Sequence, residues 1–392
     1  MIDRVHFENF KSLGDVTIDL APLTALVGAN GCGKSSVLQA IDLLSQTGSW
    51  STLDSTYTTG RFAKIFAGLR DPSRLASKRP AFVILRMGIK DGDELQLTIG
   101  VSAEERTDGD FEIQIAGHSD TELFGHAPTL VAKVPPLDHR AKKVLDDARI
   151  QRFAPVAYLH LDAQQMVGTS VQEQDEHRMS SDGGGLATTL ALMKGANEDE
   201  LGRITSDLAT VVPGVRRIIT HRERVTRKRT ERMNIDGQAV WRPVEDSLLG
   251  DRFAIEFDNG QVVPADLLSE GTVLALGLLT KLREPRRPKL FLLDDIDRGL
   301  HLTAQSKLID ALRGLMTLDP ELQIVCTTHS PYLLDRFAPE EIRVLALDEH
   351  RRTRVRPLTE HPDFEKWRYG IQSGEMWASV GEAWVAGGAP AA

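Results

Sequence analysis

With 392 residues, the chain is long enough for two or three structural lobes with a large core, and 41% hydrophobic and 26% charged residues is the make-up of a globular protein. No apolar run approaches the roughly 18 residues of a membrane span, which argues against a helical membrane protein. A net charge of −9 does not advertise a nucleic-acid partner, and two distant cysteines, Cys32 and Cys326, give neither a disulfide framework nor a zinc site.

The chain opens on strand-like residues 2–7, with no signal-peptide pattern, so a reducing cytoplasm is the expected location. Residues 23–27 form a second apolar, strand-like run. Gly28-Ala29-Asn30-Gly31-Cys32-Gly33-Lys34-Ser35 follows and fits G-x-x-x-x-G-K-[ST] at every fixed position. Residues 36–44, beginning with Ser36, then carry helical apolar spacing. A strand, a glycine loop and a helix N-terminus together make a phosphate cradle. Glycines let backbone N–H groups turn inward around the phosphates. Lys34 supplies a point charge to those oxygens, and the Ser35 hydroxyl is placed to ligate Mg²⁺. The alternative is a glycine turn before a core helix.

Residues 46–80 read as loop-rich. Strand-like runs at 81–85, 95–99 and 111–115, punctuated by Asp91-Gly92 and Asp108-Gly109-Asp110, predict an antiparallel lobe. A charged helix is expected from Pro135 to Arg149, and a buried strand over 156–161. The polar stretch ending in Gly183-Gly184-Gly185 reads as a mobile surface loop. Helices are expected over 186–193 and 200–212, then strands over 214–263. Within them lies a basic run: Arg216, Arg217, Arg222, Arg224, Arg227, Lys228, Arg229 and Arg232 against Glu223 and Glu231. It is either a solvated strand face or a surface for phosphate backbones. From 267 to 347, helix and strand alternate, the mark of a parallel sheet.

Four downstream features narrow the chemistry. Phe291-Leu292-Leu293-Asp294-Asp295 is an apolar strand ending in two acids. Asp294 would hold Mg²⁺ and Asp295 would polarise an attacking water. Leu268-Ser269-Glu270-Gly271-Thr272 caps an apolar helix, and helix N-termini favour anions. Ile324–Thr327 is a strand that leads into Thr328-His329-Ser330, and Asp297-Arg298-Gly299 follows the acids.

Together these motifs resemble the ABC-type P-loop ATPases of the RecF, OLD and SMC-like branch. The opening Phe7-Glu8-Asn9-Phe10-Lys11-Ser12-Leu13 and Thr328-His329-Ser330-Pro331-Tyr332-Leu333-Leu334 are especially like that branch. The resemblance implies ATP and Mg²⁺ as ligands and catalytic roles for Asp295 and His329. It also implies a sandwich of two copies, in which Ser269 and Gly271 of one reach the ATP held by the loop of the other. The family normally carries Glu where this chain has Asp295, so the carboxylate sits roughly 1.5 Å further back. Only Gln164 and Gln165 offer themselves as a Q-loop glutamine, by default. The tail around Gly374-Glu375-Met376-Trp377 and Gly381-Glu382-Ala383-Trp384-Val385 resembles that of small bacterial ATPases of the group. Core packing is its simplest reading.

The expected fold is α/β: a P-loop NTPase core with a mainly parallel sheet, an antiparallel β lobe and a helical insertion. The expected boundaries are a core of 1–45 and 250–347, a β-rich lobe of 46–134, a helical insertion and basic strand region of 135–249, and a tail of 348–392. No coiled coil occupies residues 36–268, and residues 330–392 are too few for the nuclease domain of OLD relatives. The reading is a stand-alone ATPase and dimerising switch that controls a separately encoded effector, such as a nuclease, or a DNA-processing activity. A DNA-repair ATPase holding DNA through Arg216–Arg232, a transporter subunit and a weakly hydrolysing ATP sensor are the alternatives. No membrane contact is expected.

Overall fold

The computed structural model describes residues 1–47, 81–89, 94–101, 111–118, 129–132, 156–171, 179–196, 198–235, 238–285 and 287–387. They fall into two compact units. One comprises residues 1–158, 288–297 and 314–392, and the other residues 159–287 and 298–313.

The first unit holds two six-stranded sheets. The antiparallel sheet starts with β1 (Ile2–Phe10) and β2 (Leu13–Asp19). Burial alternates along β1, so Val5, Phe7 and Phe10 face inward, with Val16 and Ile18 of β2 beside them. Asn9 and Lys11 adopt left-handed backbone to make the tight turn between the strands. The other sheet contains β3 (Leu23–Val27), β13 (Leu290–Leu293), β14 (Gln323–Thr327) and β15 (Ile342–Leu347). In it β13, β14, β3 and β15 run parallel in that order, with β16 (Thr353–Pro357) antiparallel on β15 and β8 (Val156–Leu159) next to β13. Their mainly apolar and almost wholly buried residues suit strands covered on both faces. Helix α1 (Lys34–Thr47) follows β3, and its Val37, Leu38, Ile41 and Leu44 share one core with Phe7, Phe10, Leu26, Leu292 and Val325. At the sheet edges Gln323 clamps Ile2: its Oε1 accepts from the Ile2 N–H at 2.9 Å and its Nε2 donates to the Ile2 carbonyl at 2.6 Å.

The expected strands over 81–115 form as β4 (Ala81–Ile89), β5 (Glu94–Val101) and β6 (Phe111–His118), followed by β7 (Thr129–Ala132). They continue the sheet that β2 and β1 begin, in the order β2-β1-β4-β5-β6-β7, because β1 pairs β4 on its free edge. Of the loop expected over 46–80, residues 46 and 47 instead complete α1, and the rest, with the helix expected over 135–149, lies outside the described residues.

The second unit is built from α2 (Ala163–Val167), α3 (Leu186–Ala196), α4 (Glu198–Val211) and α5 (Glu270–Leu282). A long antiparallel ribbon accompanies them: β10 (Val215–Ile235) on β11 (Gln238–Phe257), with β9 (Ser170–Val171) and β12 (Val262–Pro264) on β11. Helix α6 (Leu302–Leu318) begins in this unit and ends in the first. The 250–287 stretch groups here and not with β3 and α1; it continues β11, whose ladder with β10 extends from Ile235↔Gln238 to Val215↔Phe257 with one register shift between Val215 and Arg217. Of residues 173–185, expected as a mobile loop, 173–178 lie outside the described residues and 179–185 form a packed turn. The His160 N–H donates to the Ser181 carbonyl at 3.0 Å, and a Cβ at Gly183 would lie 2.3 Å from Met166 Cγ. Helix α5 is apolar all round and buried from Gly271 to Leu282. Arg283 at its end donates to Asp207 at 2.7 Å and to Glu200 at 3.2 Å.

Candidate functional site

The sheet order places the end of β3 next to the end of β14, and β14 next to β13. Three loops therefore meet at one edge of a parallel sheet, where such sheets offer a crevice beyond their carboxyl ends.

The first loop is 28–33. Gly28, Gly31 and Gly33 all have positive φ, at 145°, 77° and 107°. Two of them are also sterically required: a Cβ at Gly28 would lie 2.1 Å from the Leu345 carbonyl oxygen, and one at Gly33 2.4 Å from Thr353 Oγ1. Thr353 braces the loop from β16, sharing 2.8 Å hydrogen bonds with the Cys32 carbonyl and with Ser12 Oγ. Ala29, Asn30 and Gly31 are exposed at the loop's crest, Cys32 is buried beneath it, and Ser35 and Ser36 are half-buried at the start of α1. Burial pushes the Cys32 thiol up, against the pull of Lys34. Lys34 is itself buried, and its Nζ donates to the carbonyls of Gly28 at 2.8 Å and Ala29 at 3.1 Å.

The second loop follows β13. Asp294 gathers three hydroxyls: Ser35 Oγ at 3.1 Å and Thr327 Oγ1 at 2.7 Å on Oδ1, and Tyr158 Oη at 3.2 Å on Oδ2. Thr327 Oγ1 also accepts from the Asp295 N–H at 2.8 Å, so one threonine orients both acids. Asp295 is exposed, with left-handed backbone at φ 51° that an aspartate tolerates. Burial, then the charge of Asp294, holds the Tyr158 hydroxyl well above the usual range, so it stays a donor to that carboxylate.

The third loop follows β14. The Thr328 N–H reaches the Leu26 carbonyl at 3.3 Å, Thr328 Oγ1 accepts from the Ser330 N–H at 3.0 Å, and Ser330 caps α7 (Pro331–Leu334). His329 stands exposed between these anchors. The structure thus brings together Lys34, Ser35, Asp294 and the loops of Asp295 and His329.

Ser269 and Gly271 belong to the second unit. Ser269 is the N-cap of α5, its Oγ accepting from the Thr272 N–H at 3.2 Å. Gly271 permits a close approach, since a Cβ there would lie 2.2 Å from the Gly299 carbonyl oxygen. Gln164 and Gln165 are exposed on α2 in the same unit.

Hydroxyl and carboxylate oxygens from Ser35 and Asp294 fit a hard cation such as Mg²⁺, which keeps several waters and takes few protein ligands. No group of three or more His, Cys, Asp or Glu suited to a metal occurs among the described residues. Sequence reasoning missed Tyr158, Thr353 and Ser12, and gave Thr327 no role. A tyrosine on an apolar strand was the one available signal for the first. Thr353 lies far from the loop in sequence and carries no motif, and Ser12 stands in the opening motif without a role assigned to it.

In the basic run, Arg216 and Arg217 pair with Glu256 at 3.1 and 2.6 Å, and Arg222 with Asp251 at 3.0 Å, while Arg224 is exposed. No helix among the described residues is long and apolar enough to cross a membrane.

The family model "AAA domain, putative AbiEii toxin, Type IV TA system" matches residues 133–335, and "AAA ATPase domain" matches residues 1–120. The chain is similar to an OLD nuclease of Thermus scotoductus, 50% identical over 44 residues, which are 11% of this chain and 8% of that protein. It is similar to the Septu protein PtuA of Bacillus thuringiensis, 36% identical over 69 residues, 18% of this chain and 17% of that one. It is also similar to the DNA replication and repair protein RecF of Salmonella paratyphi A, 29% identical over 126 residues, 31% of this chain and 30% of that one. The aligned stretches therefore span no more than 30% of these three relatives' lengths. Among solved structures, an SMC head bound to the C-winged helix domain of ScpA superposes with a TM-score of 0.53 at 15% identity, covering 91% of this chain and 96% of that one. An Smc head with an extended coiled coil, bound to the C-terminal domain of ScpA from Pyrococcus furiosus, gives 0.53 at 14%, covering 94% and 99%. At these identities the likeness shows the fold alone: an SMC-head-like α/β architecture.

Proposed function

The chain belongs to this AAA-domain family, within the RecF, OLD and SMC-like P-loop ATPases, and from that premise we propose that it hydrolyses ATP and acts as an ATP-dependent dimerising switch. The observation that carries the reading is the junction of the two nucleotide motifs: Ser35 Oγ bonded to Asp294 Oδ1 at 3.1 Å, beside a buried Lys34.

In this reading the backbone N–H groups of residues 29–35 and Lys34 bind the phosphates. Ser35 and Asp294 hold Mg²⁺, which supplies charge neutralisation there. Asp295 orients and polarises the attacking water, and Thr327 fixes the backbone that presents it. His329 meets the γ-phosphate. Ser269 and Gly271 of a second copy complete the site, so hydrolysis reopens the pair. Names among the relatives, an OLD nuclease, a Septu protein and a DNA replication and repair protein, support an output in defence or DNA processing, exerted on a separately encoded effector such as a nuclease.

The test is ATP hydrolysis by the full chain with and without Mg²⁺. Turnover that needs Mg²⁺ and is lost in both Asp295→Asn and His329→Ala is the expected result. Wild-type rates in both variants would overturn it.

A second reading, direct contact with DNA through β10, is favoured by exposed Arg224. Arg216, Arg217 and Arg222 offer it less, because each already faces a carboxylate.

A further inference from the structure

The C-terminal tail carries residues that the proposed chemistry does not use. Helix α8 (Phe364–Trp367) and helix α9 (Ser373–Val380) lie in it. His361 organises the tail: it is buried, stacked on Trp367 with ring centroids 5.7 Å apart, and set edge-on to Trp384 at 5.1 Å. Its Nδ1 accepts from the Asp363 N–H at 3.0 Å. Residues 361, 367 and 384 are thus tied into one aromatic cluster, with α9 held between them in sequence.

Helix α9 is fitted to one place. Its Gly374 sits so close to α7 that a Cβ there would lie 1.8 Å from the Pro331 carbonyl oxygen. The Gly374 N–H donates to Asp335 Oδ1 at 2.8 Å, and Ser373 Oγ donates to the Phe337 carbonyl at 3.1 Å. Pro331 is the first residue of α7, whose N-cap, Ser330, adjoins His329. His329 itself is exposed, yet the backbone just after it is pinned from behind at three points. Further along the tail, Glu382 lies near enough to Cys32 in the phosphate loop to oppose ionisation of its thiol.

We propose that the tail helix α9 is a positioning brace for the loop of His329, with Gly374 and Asp335 as the positioning residues of the contact. The proposal rests on the reading that His329 acts in hydrolysis. A glycine is needed at 374 because any side chain would push α9 off α7, and α7 cannot move without moving Ser330 and His329. A small displacement of a group that meets the reacting phosphate costs rate while leaving loop-borne nucleotide binding intact.

The experiment compares the full-length wild type with Gly374→Val, Asp335→Ala, Asp335→Asn, His329→Ala and the double variant His329→Ala/Gly374→Val. The readouts are ATP turnover and the affinity for a fluorescent ATP analogue. Gly374→Val is expected to lower kcat by about 10- to 100-fold, with analogue affinity within about twofold of wild type. Asp335→Ala should follow it, and Asp335→Asn, which keeps an acceptor oxygen for the Gly374 N–H, should recover most of the rate. The double variant should be no slower than His329→Ala alone, because both changes act through one group. Should Gly374→Val fail to fold, Asp335→Ala and Asp335→Asn carry the same comparison. A wild-type rate in both Gly374→Val and Asp335→Ala, with His329→Ala impaired, overturns the brace and leaves the site reading standing. So does a double variant that loses the product of the two single effects. A wild-type rate in His329→Ala overturns the site reading itself, and the brace with it.

Discussion

Lys34, at the start of α1, and the arginines of β10 are all cations offered to a phosphate, yet the molecule treats them differently. Lys34 is buried, and among the described residues its Nζ donates to the neutral carbonyl oxygens of Gly28 and Ala29. Arg216, Arg217 and Arg222 are exposed, and each reaches a carboxylate on β11. A cation already matched to a carboxylate gains little from a phosphate, whereas a desolvated and uncompensated one gains much. The count of basic residues and the partner of each cation therefore rank these two regions, as sites for phosphate, in opposite orders.

Lys34→Ala tests that ranking most severely. It removes the one loop-borne charge and should weaken ATP binding by about 2–5 kcal/mol, as truncating one side of a buried charged contact does. Calorimetry is the measurement, and equal affinity in variant and wild type would break the comparison at its stronger end.

Asp295→Asn should come next in size. The change keeps the shape of the site and the phosphate contacts, so ATP binding is retained. Turnover should fall by about 100-fold or more, the scale of a lost general base. With hydrolysis blocked, ATP and Mg²⁺ should drive dimer formation in sedimentation, and Ser269→Arg should prevent it. Asp295→Glu sharpens the point: if the short carboxylate limits the rate, turnover should rise above wild type.

Tyr158→Phe is a smaller perturbation. It deletes one of three hydroxyls on Asp294 and leaves those of Ser35 and Thr327. The Mg²⁺ concentration for half-maximal turnover should rise by up to about tenfold, the low end for a lost partner of a metal-binding carboxylate. An unchanged Mg²⁺ requirement would mean that the Tyr158 hydroxyl does not orient Asp294.

The contrast between motif and support also explains what the sequence made legible. Residues 28–35 announce themselves because glycine geometry, the lysine and the hydroxyl must be neighbours in the chain, and the strand before and the helix after them obey simple periodicities. Asp294, Asp295 and His329 drew notice for a related reason: the two acids follow the apolar strand β13 directly, and His329 stands two residues beyond the end of β14. Thr353 did not, because β16 reaches the loop through long-range strand pairing and a lone threonine has no pattern; Ser12, in the turn after β1, belongs to the opening motif, but its bond to Thr353 was not foreseeable. The continuation of β1 into β4 was hidden likewise, since alternation marks a strand and says nothing of which edge it joins. In the basic run, the sequence displayed eight cations together while their acids, Asp251 and Glu256, lay across a hairpin.

That hairpin supplies the last and smallest effect. In register, Arg227 stands opposite Asp246 and Lys228 opposite Glu245, whereas Arg224, Arg229 and Arg232 stand opposite Leu249, Val244 and Trp241. The ladder therefore singles out three basic positions with no acid directly across from them. If β10 meets a phosphate backbone, those three should carry most of the salt dependence. Replacing all three with alanine should then reduce the slope of log K against log salt by about 2.7, at roughly 0.9 for each phosphate contact on duplex DNA. Replacing Arg216, Arg217 and Arg222 should change the slope less, because each already spends its charge on Glu256 or Asp251. The measurement is duplex binding across a salt series with ATP present. Equal slopes from the two triple variants would show that strand register does not decide which cations are free. An absence of binding at low salt would return the whole ribbon to a solvated surface, and the comparison with Lys34 would then be complete: one cation left uncompensated for a ligand, and a row of them left for water.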